Sequence, residues 1–235
     1  MIKTILMDIE GTTTSISFVH DTLFPYSTKK LPEFCTNHSE SEEVQHWLSE
    51  AQRTIQEEDP NFIKGDLNPT VIVPYLLSWI KADRKHPALK GLQGLVWREG
   101  YEKNVYQSHI YPDVLPTWEL WANKGITLAI YSSGSCEAQK LLFGHTSSGD
   151  ITSFISHYFD TKVGPKKEKQ SYAAISQSLS SDPEDILFIS DIEGELDAAK
   201  QSGLCTLQMV RSGTTPTKKH ARCDTFSHID LELFT

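Results

Sequence analysis

The feature that most constrains this chain is a rhythm. From His109 onward, short apolar runs alternate with stretches of helical period, and each run breaks at acidic, hydroxyl or glycine residues. Residues 113–124 read as a helix with Trp118, Leu120 and Trp121 apolar and Gly125 placed to end it. Residues 126–131 read as a buried strand, broken at Ser132-Ser133-Gly134-Ser135, with a short helix over 136–143. A short strand near Tyr158, a helix over 168–179, a strand over 186–190, a helix over 195–202 capped by Gly203 and a strand over 204–210 continue the pattern. Strands and helices of these lengths in alternation predict βαβ units and a parallel sheet.

The run Ile2 to Met7 has the same texture, but the next hundred residues do not. Stretches 42–57, 69–84 and 89–104 read as helices, with few strand candidates between them. Taking residues 15–108 as an insertion leaves 1–14 and 109–235, or 141 of 235 residues, for the α/β part. That is a normal size for one domain. The expected fold class is therefore α/β: a Rossmann-like parallel-sheet core with a helical cap inserted after the first strand.

Charge and cysteine usage then remove whole classes of function. A formal net charge of −9 disfavours nonspecific binding to nucleic acid or an anionic membrane, since both depend on lysines and arginines neutralising phosphates. The longest uncharged apolar stretch, 70–80, is eleven residues, against the about 20 a membrane-spanning helix needs. The first apolar run is cut by Asp8 and Glu10 before the core of a secretion signal forms. Four cysteines without a C-x-x-C pair read as reduced thiols, so a cytoplasmic protein is expected. The helices offer no heptad seam, which favours a monomer.

In an open parallel sheet, ligands bind beyond the carboxyl ends of the strands. Four segments fall there: Asp8-Ile9-Glu10-Gly11-Thr12-Thr13-Thr14, Ser132-Ser133-Gly134, Gly164-Pro165-Lys166-Lys167 and Ser190-Asp191-Ile192-Glu193-Gly194-Glu195. Gathering Asp8, Glu10 and Asp191 costs roughly 4 kcal/mol for each like-charge pair at about 4 Å and an effective dielectric near 20. A cation must offset that. Mg²⁺ suits a sparse oxygen site that leaves room for a substrate phosphate, and Lys166 adds a compact positive charge. Serine hydroxyls and backbone N–H groups near Gly134 would hold a phosphoryl group, and a carboxylate facing it can attack to form an acyl phosphate.

The order D-x-E-G-T, S-S-G-S, loop lysine and S-D-x-x-x-E, each after an apolar strand, resembles the four motifs of the haloacid dehalogenase superfamily. Within it the chain is more closely similar to the enolase-phosphatase family of methionine salvage. The similar segments include Ile16-Ser17-Phe18-Val19, Leu23-Phe24-Pro25-Tyr26, Leu92-Gln93-Gly94, Trp97, residues 131–135, 137–144 and Phe159-Asp160-Thr161-Lys162. The resemblance implies a Mg²⁺-dependent enzyme that enolises a phosphorylated diketone, 2,3-diketo-5-methylthiopentyl-1-phosphate, and then removes its phosphate. It matches Asp8 to the nucleophile and a metal ligand, and Glu10 to the second acid of the metal site. It matches Ser132 and Ser133 to substrate-binding residues, Lys166 to the phosphate-contacting lysine, and Asp191 to the remaining metal ligand. Most of the superfamily has Asp where Glu10 stands, so whether Glu10 reaches the metal by side chain or backbone stays open. So does the base that removes the proton, with Glu10, Lys166 and His20 all available. The insertion would act as a lid walled by residues such as Phe18, Phe24, Tyr26 and Trp97.

Plainer roles exist for the same residues. Ser132 and Ser133 could cap the helix that starts near Cys136, Lys167 rather than Lys166 could face the site, and Glu193 reads as solvated. Glu195 opens a helix, where an acid is favourable without any ligand; its other reading is a carboxylate that supports the metal site from behind the ligands. The same phosphatase chemistry could also serve another small phosphate monoester such as a sugar phosphate, because the insertion sets specificity.

Overall fold

The computed structural model describes residues 1–62, 65 and 67–234. Four- and five-residue runs with apolar side chains on both faces have a good solution as interior parallel strands, covered by helices on each side. The strands are β1 (Thr4–Met7), β2 (Thr127–Tyr131), β3 (His157–Phe159), β4 (Ile186–Ser190), β5 (Cys205–Met209) and β6 (Ala221–Cys223). All are parallel to their neighbours, in the order β3-β2-β1-β4-β5-β6. Successive side chains leave a strand on opposite faces, and the packing follows that alternation. Ile5, Met7, Ile130 and Ile189 face a layer containing Trp118, Trp121 and Phe143. Leu6, Tyr131 and Phe188 face Tyr172, Ile175 and Leu196.

The helices that cover the sheet are α6 (Val114–Asn123), α7 (Cys136–Gly144), α8 (Lys169–Ser178) and α9 (Glu193–Gln201). Their ends follow local chemistry. Gly125 and Gly203 adopt positive φ values of 75° and 92° just past α6 and α9, a conformation that costs glycine little.

The chain divides into two compact units, Met1–Val19 with Gln107–Thr235, and His20–Tyr106. The division falls a few residues inside the expected limits of 15 and 108. Ser15 donates its N–H to His109 Nδ1 at 3.0 Å, and the Thr14 hydroxyl bonds the His109 carbonyl, so this stretch and α1 (Ile16–Phe18) belong with the sheet.

The helical unit holds α2 (Phe24–Asn37), α3 (Glu42–Glu58), α4 (Pro69–Lys81) and α5 (Pro87–Glu102). Its core takes Leu31 and Cys35 from α2, Val44, Leu48 and Ile55 from α3, Ile72, Leu76 and Trp79 from α4, and Leu89, Leu92 and Val96 from α5. These positions repeat at three- and four-residue spacing, the single apolar stripe of an amphipathic helix. The sequence reading assigns no helix to α2, in whose interior Pro32 stands. That proline removes a donor to the carbonyl of Thr28, and Thr28 is exposed, so the carbonyl is open to solvent. Among the described residues no helix is long and apolar enough to cross a membrane.

Candidate active site

The topological switch lies between β1 and β4, where the chain's path across the sheet reverses, and ligand crevices open there beyond the strand ends. Strand pairing sets Met7 opposite both Ile130 and Ile189. The next residue of each strand therefore brings Asp8 level with Tyr131 and Ser190. Asp8 continues the ladder by donating its N–H to the Ile189 carbonyl at 2.9 Å.

A tight turn follows Asp8. The Ile9 carbonyl accepts the N–H groups of Thr12, Thr13 and Thr14, and Gly11 donates to the Thr14 carbonyl at 2.8 Å. Gly11 is required twice over. Its φ is +71°, and a Cβ there would lie 2.5 Å from Asp191 Oδ2. The Asp191 N–H donates to the Thr12 hydroxyl at 3.1 Å, joining the loops after β1 and β4.

Lys166 is the cationic centre. Its Nζ lies 2.7 Å from Asp8 Oδ1 and 2.7 Å from Glu195 Oε2, with all three side chains at most 10% exposed. The loop that carries it is fixed by hydroxyls: Tyr172 donates to the Lys166 carbonyl at 2.6 Å, Ser171 to Pro165 at 2.7 Å and Tyr131 to Gly164 at 2.8 Å. Asp8 Oδ1 also accepts the Ile9 N–H at 2.7 Å. The Ser190 hydroxyl lies between two acids, 3.1 Å from Glu195 Oε2 and 3.4 Å from Asp8 Oδ2.

The electrostatics show what one lysine leaves undone. Burial pulls the Lys166 pKa down, but the charges of Asp8 and Glu195 outweigh it and leave the ammonium more firmly protonated than usual. Burial, reinforced by the charge of Asp8, pushes Asp191 up to about 7. Burial and Asp8 likewise raise Glu195, against the pull of Lys166. Asp191 Oδ1 is buried without a hydrogen-bond partner among the described residues. Such an orphaned acceptor is expensive unless something fills it.

These residues fit a hard divalent cation. The donors are carboxylate oxygens, one is orphaned, and ionising Asp8, Asp191 and Glu195 together against one lysine leaves two negative charges uncompensated. Glu10 is half-buried on the same loop, its backbone bridged to Thr14, and its charge adds to the upward push on Asp191.

Of the sequence-derived candidates, Asp8, Lys166 and Asp191 converge here, with Glu10 on the adjoining turn. Ser132 and Ser133 stand at the end of the neighbouring strand β2. Ser132 is buried, donates its N–H to the Phe159 carbonyl at 3.1 Å and accepts the Gly134 N–H at 3.3 Å, while Ser133 is exposed. Capping of α7 falls to Ser135, whose Oγ accepts the Ala138 N–H, and not to this pair. Glu193 stays at the surface, where it pairs with Lys219 at 2.8 Å.

Two supporting roles escaped the sequence reading. Ser190 falls in the strand-end segment, but nothing local marks its hydroxyl as the link between two acids. Gln139, 1% exposed, donates from Nε2 to the carbonyls of both Gly134 and Phe159 at 2.8 Å, tying the serine loop to the end of β3. Its sequence signal is a polar residue four positions before Phe143, on the buried face of α7. A concavity of about 580 Å³ lined by Met1, Asp185, Leu204, Cys205 and His220 lies toward the opposite strand ends, away from these acids.

The parallel sheet and the acids at its switch point define a class, and the comparisons agree with it: the haloacid dehalogenase-like hydrolase family matches residues 2–203. Among solved structures, the UTR4 protein of Saccharomyces cerevisiae superposes with a TM-score of 0.81 at 34% identity, covering 97% of this chain and all of that one. CbbY of Rhodobacter sphaeroides, at TM-score 0.58 and 18% identity over 97% and 96% of the two chains, shares the fold. Enolase-phosphatase E1 of Marinobacter nauticus is 47% identical over 99% of both chains, and that of Pseudomonas fluorescens is 44% identical over 99% of both. The chain belongs to the enolase-phosphatase E1 family of haloacid dehalogenase-like hydrolases.

Proposed function

We propose that this protein converts 2,3-diketo-5-methylthiopentyl-1-phosphate to the acireductone 1,2-dihydroxy-3-keto-5-methylthiopentene and phosphate, the enolase-phosphatase step of methionine salvage. The observation that carries the reading is the buried Asp8 carboxylate, held by Lys166 beside the orphaned Asp191 oxygen at the switch point of the sheet.

Asp8 and Asp191 by their carboxylates and Glu10 by its backbone carbonyl would hold Mg²⁺, which leaves proton transfer to the Glu10 side chain, and Ser132, Ser133 and Lys166 would take the phosphate oxygens. When bound, the ion supplies charge neutralisation during phosphoryl transfer and polarisation of the substrate carbonyl during enolisation. The protein's own groups carry the transfer. The Asp8 carboxylate attacks phosphorus, the phosphorus–oxygen bond to the enol breaks, and Glu10 protonates the departing oxygen. Glu10, now ionised, takes a proton from water as that water attacks the acyl phosphate, which frees phosphate and restores Asp8. Lys166 keeps Asp8 oriented throughout, while Tyr172 and Ser171 hold the lysine's loop.

The decisive measurement follows the diketone phosphate by ultraviolet absorbance and phosphate release together, with Mg²⁺ present. The wild type shows enol absorbance preceding or accompanying phosphate. Asp8→Asn abolishes phosphate release by about 10⁴-fold or more. Release without any enol signal would leave a simple monoester phosphatase, and release that survives Asp8→Asn would remove the nucleophile assignment.

A further inference from the structure

A second set of metal-ligating side chains lies outside the proposed reaction, at the end of β6 and in the residues that follow it. Cys223, Asp224 and His228 each offer one donor atom, and the sulfur, oxygen and nitrogen lie within 4.8 Å of one another. We infer that these three residues form a binding site for a borderline-soft divalent transition metal of the Zn²⁺ type, separate from the oxygen site at the strand ends.

The donor set selects the metal. Thiolate and imidazole suit Zn²⁺ and Co²⁺, whereas Mg²⁺ takes oxygen ligands. A thiolate and one carboxylate balance the ion's charge, and the thiol gives up its proton to solvent on ligation. Three protein ligands leave at least one position for water. The side chains of Asp224 and His228 are 77% and 72% exposed, so water has access and both can adjust to the ion.

The backbone beneath the cluster is already fixed. The Cys223 carbonyl accepts the Val210 N–H at 2.8 Å, and the Asp224 carbonyl accepts from Arg211 Nη1 at 3.0 Å. Thr225 Oγ1 and the Phe226 N–H both donate to Asp113 Oδ2, at 3.0 and 2.6 Å. Phe226 is fully buried, and the His228 N–H closes onto the Thr225 carbonyl at 3.2 Å. Two of the ligands are already paired, His228 Nδ1 lying 3.5 Å from Asp224 Oδ1. The Cys223 thiol donates to the Thr225 carbonyl at 3.0 Å, which keeps its sulfur on this segment. Binding therefore needs side-chain rotation and little ordering of the main chain. An exposed Asp–His pair alone is worth little; the sulfur beside it is what makes the cluster a site.

Arg211 gives the site a line to the chemistry. The same guanidinium that holds the Asp224 carbonyl donates from Nε to the Thr12 carbonyl at 3.2 Å, in the turn that follows Asp8. An ion on Cys223, Asp224 and His228 would brace the segment from which that contact is made.

The test is titration of the reduced full-length protein with Co²⁺, read by absorption. A thiolate-to-cobalt charge-transfer band should appear in the wild type and in Asp8→Asn, and should be absent from Cys223→Ser. His228→Ala, at an exposed position, should weaken Co²⁺ and Zn²⁺ binding about 10-fold or more, with the metal-free thermal midpoint unchanged. Failure of the wild type to show the band, its persistence in Cys223→Ser, or a change below about twofold in His228→Ala would each overturn the site.

Discussion

The strand-end pocket and the outer face of α9 each hold one lysine between two carboxylates, and the two triads behave oppositely. In the pocket, Lys166 meets Asp8 and Glu195 at 2.7 Å with side chains at most 10% exposed. On the surface, Lys219, 60% exposed, meets Glu193 at 2.8 Å and Asp197 at 3.1 Å. The helix itself sorts the acids: Glu193 and Asp197 are four apart and share a face, while Glu195 between them turns inward. Outside, bonding to Lys219 draws Glu193 below its usual range; burial opposes the same effect at Asp197, yet Lys219 and His220 still lower it. Inside, burial and Asp8 push Glu195 up in spite of Lys166. One lysine satisfies two acids in water and falls short when the same trio is buried, because desolvation is charged to every ion. That shortfall is what makes the pocket fit a further cation.

The largest expected effect tests the buried side of this contrast. Lys166→Met leaves Asp8 and Glu195 in the pocket without their lysine. Phosphate release should fall by about 10²–10³-fold, and urea denaturation should show a loss of about 3–5 kcal/mol. A loss of activity below tenfold would break the contrast.

Gln139→Leu asks whether uncharged buried polar groups behave the same way. It deprives the carbonyls of Gly134 and Phe159 of their shared donor, which should cost about 1–3 kcal/mol. The Michaelis constant should rise more than turnover falls, because the change loosens the serine loop and leaves Asp8 in place. Equal effects on both constants would place Gln139 closer to the reacting atoms.

Asp113 supplies an intermediate case. Burial raises its pKa, but Arg211 at 2.9 Å and the Phe226 N–H more than reverse this and hold the carboxyl below its usual range. A depressed folded-state pKa stabilises the protein above the unfolded value, near 4, and the benefit fades as pH falls through the lower folded value. Asp113→Asn should therefore be less stable than wild type by about 2 kcal/mol at neutral pH, with the gap closing in acid. A gap that widens below pH about 4 would reverse the sign of the interaction.

Lys219→Ala marks the small end. Activity and the denaturation midpoint should stay within measurement error, and any difference should vanish in high salt. A clear effect that survives salt would make the surface triad more like the buried one.

Much of the α/β unit was legible because an interior parallel strand must be apolar on both faces and must then stop. Ile186–Ser190 and Thr127–Tyr131 announce themselves in that way, and so do the residues that follow them. β6 did not, since Ala221–Cys223 is a short edge strand with exposed residues and needs no apolar run. Nor did α2, whose interior Pro32 leaves the carbonyl of exposed Thr28 without its helical donor.

The sequence by itself determined the βαβ alternation, the helical insertion, and Asp8, Ser132, Lys166 and Asp191 as residues that terminate strands or lie in loops at one end of the sheet. Those are consequences of local periodicity and of where apolar runs end. Tertiary structure decided the strand order that brings the ends of β1 and β4 together, the choice of Lys166 over Lys167 as the partner of Asp8, and the inward turn of Glu195. It also decided that Gln139, Ser190 and Arg211 support the site, since their partners are far apart in the chain. The division has a physical basis. Propensity and periodicity act over a few residues, whereas the energy of a buried charge depends on every group within several ångströms, whatever its place in the sequence.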